Sequence, residues 1–186
     1  MAAVAQAEPE QVLEVAEAPG SSHAPTKGTL AHEILYGNSK DVKLRAQDWA
    51  YLCSQDLTAA LLEILDLIFR LAGLPQAVVA DHLEEDPAKM VIQLPQWVKS
   101  NNLDPSIYPL LPSISQSKRS VSNLEKFISQ GIGEQNGAAL LESQLVASLT
   151  RWLLILPNAQ IRSVRHVATV AALAVAEALG YQVEAL

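Results

Sequence analysis

A single cysteine, Cys53, stands among 186 residues, so no internal disulfide can form and no cysteine-based zinc site can be assembled. That usage fits a reducing, intracellular compartment. Aromatic residues are scarce, with two Phe, four Tyr and three Trp. The 49% of the chain that is hydrophobic must therefore build its core from Leu, Ile, Val and Ala, which suits packed helices and predicts an all-α fold. No uninterrupted apolar run reaches the roughly 18–20 residues that span a bilayer, because Glu63, Asp66 and Arg70 punctuate the most apolar segment. The amino terminus has neither the positive stretch nor the long apolar core of a secretory signal, and a soluble protein is expected. Excess positive charge is missing too. The net charge of -7 divides as -3 for residues 1–27 (four Glu against Lys27) and -4 for the rest (sixteen acids against twelve bases). Nucleic-acid binding therefore has no support from net charge.

What is present falls into two parts. Residues 1–27 are rich in Ala, Glu, Pro and Ser, with one small apolar patch at Val12, Leu13 and Val15, and are expected to be a disordered acidic tail. From Thr29 the punctuation is regular: Gly37, Gly73-Leu74-Pro75, Pro87, Pro95, a proline-rich stretch from Pro105 to Pro112, Gly131, Gly133, Gly137, Pro157 and Gly180. Between these marks the pattern is helical. Leu57, Leu61, Ile64, Leu65, Ile68 and Leu71 recur at helical spacing, and Leu62, Leu67 and Phe69 make the opposite face apolar, so this helix is expected to lie between others. A helix from Val42 to Leu52 pairs with it. Leu145 to Leu156 and Ile161 to Leu179 predict a second antiparallel hairpin, of two helices of about five turns each, with Val175 and Leu179 forming an exposed seam. No clean repeat period is found, and two hairpins bracket a less regular middle.

The densest stretch runs from Leu156 to Leu173. Pro157 stops one helix, Asn158 is placed to cap the next, and Arg162, Arg165 and His166 fall on neighbouring positions of its first turns. Cations there oppose the helix dipole by about 0.3–1 kcal/mol each, so they want a partner. Two readings stand side by side: a side-chain ladder bonding the neighbouring turn, or contact with DNA phosphate. Lys118 and Arg119, in the serine-rich stretch from Ser113 to Ser122, read as a solvated loop ahead of a helix starting near Val121, or as a phosphate-contacting loop or phosphorylation site. Trp97 with Lys99 lies in the irregular middle, making Trp97 the tryptophan expected to be exposed, while Trp49 and Trp152 are expected in the core. Asp48 is expected to anchor a neighbouring helix.

No catalytic or metal constellation is legible. The acids Asp81, Glu84, Glu85 and Asp86 with His82 read as a solvated helix end, and His166 has no second histidine close in sequence. Gly131-Ile132-Gly133 lacks the preceding strand and further glycine of a dinucleotide fingerprint and reads as a turn. Cys53 lies in an apolar helix, where a thiol is unreactive. No cofactor, metal or small-molecule substrate is expected.

The segments Asp48-Trp49, Leu61 to Phe69 followed by Gly73, Tyr108-Pro109-Leu110, and above all Gln160-Ile161-Arg162-Ser163-Val164-Arg165-His166 with Thr169, Ala171 and Ala172 resemble the N-terminal domain of the stromal antigen (STAG, stromalin) subunits of cohesin. The likeness spans Leu30 to Leu179. It implies antiparallel, HEAT-like helical hairpins opening an α-solenoid, a STAG-type domain over residues 28–186, and no enzyme activity. It further implies kleisin and the SMC ATPase subunits as partners, DNA as a further one, a nuclear, chromatin-associated place and a part in sister chromatid cohesion. The family's solenoid continues much further than Leu186, so the chain reads as a fragment or a shortened relative. Residues 1–27 are acidic where the family often has a lysine-rich extension, and Asn158 stands where Asp is usual. The reading from a different class is a free-standing α-helical adaptor unrelated to cohesin.

Overall fold

The computed structural model describes residues 27–134 and 144–184. The expected tail, residues 1–27, lies outside them except for Lys27, as does the span 135–137 of the glycine-rich stretch. The described residues form α1 (Leu30–Tyr36), α2 (Ser39–Gln55), α3 (Leu57–Leu71), α4 (Asp81–Glu84), α5 (Pro87–Ser100), α6 (Ser117–Gly133), α7 (Gln144–Ile155) and α8 (Arg162–Glu184), with a 3-10 turn at Leu156–Asn158. There is no strand among them, so the fold is all-α and solenoid-like.

Local chemistry sets the first boundaries. Asn38 and Asp41 form a capping box: the Asn38 side chain accepts from the Lys40 and Asp41 amides at 2.8 and 3.2 Å, and Asp41 accepts the Asn38 amide at 2.9 Å. This box starts α2 three residues before Val42, the apolar position from which the helix was expected. Asp56 separates α2 from α3 and caps the latter, its Oδ1 accepting from Ala59 N–H at 2.9 Å. The exit of α3 is a Schellman turn, with Leu74 N–H on Phe69 O at 2.8 Å and Gly73 N–H on Arg70 O at 3.0 Å. Gly73 takes φ +79° there, which L side chains rarely adopt.

The helix expected to be apolar all round is the centre of the molecule. α3 touches α1, α2, α7 and α8, and buries Leu61, Ile64, Leu65, Leu67, Ile68 and Phe69. Each such side chain contributes about 1.5–3 kcal/mol over its exposed state. Trp49 of α2 lies against this centre, 2% exposed, donating its indole N–H to Ala60 O at 3.0 Å and stacking at a tilt on Phe127 with centroids 5.7 Å apart. Trp152 is equally buried, so both core tryptophans stand where the pattern put them. One hydrophobic cluster runs from Leu30 to Ala178.

Several expectations need correction. Gly131 and Gly133 are not a turn but the last turn of α6. A Cβ on Gly131 would stand 2.8 Å from Trp49 Cε3, so the glycine is what lets α6 approach α2 this closely. Pro95 does not break the middle of the chain. It lies inside α5, which Asp86 caps and Pro87 opens, and whose buried stripe of Met90, Val91, Leu94 and Val98 outweighs the roughly 3 kcal/mol that an interior proline costs. The proline-rich stretch before α6 is irregular, yet it delivers Tyr108 and Leu110 to the core. α6 begins at Ser117, not near Val121, because Ser117, Ser120 and Asn123 are buried despite being polar and so hid the apolar face. α7 has 12 residues and α8 has 23, unequal where two helices of about five turns were expected.

Nor is the seam where it was placed, since Val175 is buried and Leu179 packs on the core, while Leu173, Tyr181 and Val183 are the exposed large apolar residues of α8. α8 is long and apolar enough by length and composition to cross a membrane. Its stripe of Val164, Val167, Ala168, Ala171, Ala174, Val175 and Ala178 is committed instead to the protein core, against α6, α3 and α7.

Candidate functional site

The basic turn of α8 is organised by carbonyls that need donors. Arg165 turns back along its own chain and donates from Nη1 to Ala159 O and Gln160 O, both at 2.9 Å. Ala159 N–H closes on Leu156 O at 3.0 Å. Asn158 does not cap α8 as expected: its Nδ2 donates to Leu154 O at 3.0 Å and so closes α7. The physical reason is the 3-10 turn at Leu156–Asn158, which leaves Asn158 one turn past Leu154 and four residues short of α8. The charge-assisted bonds of Arg165 offset the cost of a cation at the positive end of a helix. The side chain of Arg162, by contrast, is exposed and makes no hydrogen bond or ion pair among the described residues.

His166 faces a different element. Its Nδ1 lies 2.9 Å from the hydroxyl of Tyr108, with the two rings edge-on and centroids 5.7 Å apart. Tyr108 is 3% exposed, so its hydroxyl requires a partner, and His166 supplies one. With the proton on Nε2 the tyrosine donates and the imidazole accepts. The bond fastens the irregular stretch before α6 to the first turns of α8. Two segments 58 residues apart are thereby joined.

Lys118 and Arg119 lie in the first turn of α6 rather than in a loop. Arg119 Nη2 donates to Gly37 O at 2.7 Å and to Tyr36 O at 3.2 Å. One turn on, buried Asn123 donates to Ile34 O at 3.0 Å and Gly37 O at 3.3 Å. Together they satisfy the carbonyls that end α1, which sequence reasoning missed; a lone Asn beside Leu124 and Phe127 on an apolar face was the available signal. Lys118 is exposed and has no such partner among the described residues.

Trp97 and Lys99 lie on α5, whose neighbours are α4 and α7. Trp97 is half-buried against the core, and its carbonyl receives the Asn101 amide groups, while Lys99 is exposed. No side-chain contact among the described residues joins these three sets, so they do not form one site.

The remaining candidates are structural. Asp48 does not anchor a neighbouring helix; it pairs at 3.2 Å with Arg45 of its own helix, and it is Arg45 that reaches out, to Gly28 O at 2.9 Å. Burial pushes the Cys53 thiol up to about 12, which suppresses the reactive thiolate at neutral pH. Burial also raises the Glu63 carboxyl, against the lowering effect of Arg45. Asp86 caps α5 and meets Arg151 at 3.6 Å, and His82 Nδ1 accepts the Val79 amide at 3.2 Å. These side chains offer fixed cations and satisfied hydrogen bonds rather than a reacting centre.

No curated protein matches the chain. A family model does: the STAG domain, over residues 106–186. That span begins just before Tyr108 and takes in all of α6, the α7–α8 hairpin and the Arg162–His166 turn. Over this stretch the chain is similar to the STAG, or stromalin, domain.

Proposed function

We propose that the protein is a non-catalytic helical subunit of the cohesin complex, contributing to sister chromatid cohesion in the nucleus through protein–protein contacts, with residues 28–186 as one STAG-type helical unit. The observation that carries this is the STAG-domain match over 106–186, which coincides with the most patterned turn of the chain. Kleisin and the SMC subunits are the proposed partners. Chromatin association is assigned to exposed cations, with Arg162 and Lys118 as the candidate DNA contacts because their side chains have no partner among the described residues. Arg165, Arg119 and His166 serve this function by holding those turns in place. No cofactor, membrane or small-molecule substrate has a part in it.

The test is a pull-down of the full tagged chain from nuclear extract at low and moderate salt, read by mass spectrometry. Recovery of kleisin and SMC subunits is the expected result. A folded sample that returns neither at any salt would favour a free-standing helical adaptor.

A further inference from the structure

Between the start of α3, the short α4 and the start of α7 lies an open cleft of about 390 Å³. That volume falls in the range of about 300–1,000 Å³ that holds a small ligand or a side chain or two. Leu57 and Leu61 of α3, Leu83 of α4 and Leu145 of α7 give it an aliphatic part, beside the polar Thr58, Gln144 and Ser148. Leu61 and Leu145 are buried, but Leu57 keeps 39% of its surface exposed. The charged residues that line it are both acids, Asp81 and Glu84, exposed and three positions apart on α4. No Lys or Arg lines it. Arg151, one turn along α7 from the lining residue Ser148, is engaged with Asp86 at 3.6 Å.

We propose that this cleft docks a basic peptide segment of another protein, with one aliphatic side chain entering between Leu57, Leu83 and Leu145. A Lys or Arg three or four residues away in the segment then pairs with Asp81 or Glu84. Charge selects this occupant over the others. Nucleic acid or an acidic peptide would meet the two carboxylates unpaired. Residues 1–27 of the chain carry four Glu against one Lys, and a second copy carries a net charge of -7, so neither complements the rim. The footprint is that of a transient contact rather than a permanent interface. This proposal does not depend on the cohesin reading.

The probe is a fluorescein-labelled twelve-residue peptide with two leucines four positions apart, flanked by lysines, titrated into the full isotope-labelled chain. One control peptide has the leucines replaced by serine, another the lysines replaced by glutamate. Saturable binding is expected, weakened about tenfold or more by the paired substitution Asp81→Asn and Glu84→Gln and by either control peptide. The melting temperature of that variant should match the parent, and Glu125→Gln on the exposed side of α6 should bind like the parent. Amide shifts should gather on residues 57–61, 81–84 and 144–148. Equal affinity for the acid-to-amide variant, shifts spread elsewhere, or no saturation at millimolar peptide would overturn the proposal. So would shifts at the same residues that grow with protein concentration alone, since they would identify a second copy as the occupant.

Discussion

At the start of α6, Arg119 reaches carbonyls 82 and 83 residues earlier in the chain, whereas at the start of α8, Arg165 turns back on carbonyls only five and six residues earlier. Both turns put cations at the unfavourable end of a helix, and in both an arginine is absorbed by carbonyls while a second cation, Lys118 or Arg162, stays free of partners among the described residues. The bonds of Arg165 can form as soon as the α7–α8 turn exists. Those of Arg119 exist only once α1 and α6 have met, and they come with a buried Asn123 that donates to the same end of α1. Like sequence patterns thus stabilise different things: a local turn in one case and the closure of the amino-terminal half in the other.

An order of effects follows from this difference. Asn123→Ala takes the side-chain donor from buried Ile34 O and leaves Gly37 O to Arg119 alone, and it should cost about 2–3 kcal/mol, or about 2–4 °C of melting temperature per kcal/mol, measured by thermal denaturation. If Asn123→Ala proves no worse than Arg165→Ala, the distinction between long-range and local closure collapses. Tyr108→Phe removes the hydroxyl facing His166 and should cost about 1–2 kcal/mol, with exchange protection lost first in the stretch before α6. Arg165→Ala should cost about 1 kcal/mol, since water can reach the exposed side of its turn, and its effect should persist in an isolated α7–α8 peptide as reduced helicity. Exchange protection of α1 should be unchanged by Arg165→Ala and reduced by Arg119→Ala, a readout that separates the two arginines directly.

The smallest effect on stability belongs to the free cations. Arg162→Ala and Lys118→Ala should each stay within about 0.5 kcal/mol of the parent. If they touch DNA, the pair should nevertheless flatten the slope of log affinity against log salt by about 0.9 for each phosphate that is no longer neutralised. An unchanged slope would remove both from the proposed DNA role.

Much of the helical layout was legible in the chain. The period of Leu57 to Leu71 located α3 to within a residue and predicted its central place, because an all-round apolar helix has to be enclosed. Pro157 and the apolar stripes on either side located the α7–α8 hairpin. Where the reading went astray, a tertiary contact overrode a local signal. Gly131 reads as a turn residue but serves as the gap into which Trp49 fits. Pro95 reads as a stop, yet the buried face of α5 carries the helix through it. Ser117 and Ser120 read as loop because polar residues on a buried face break the periodicity that announces a helix. The candidate cations were all found, but whether each was engaged or free was not visible.

By itself the sequence determined the all-α class, the central helix and the impossibility of an internal disulfide, since these follow from composition, from periodicity and from a single cysteine. Only the tertiary structure decided that His166 meets Tyr108, that Arg119 and Asn123 close α1, and that four leucines and two carboxylates share one cleft. Those pairings join residues tens of positions apart, and they are set by which carbonyls and hydroxyls the packing of helices leaves in need of a partner.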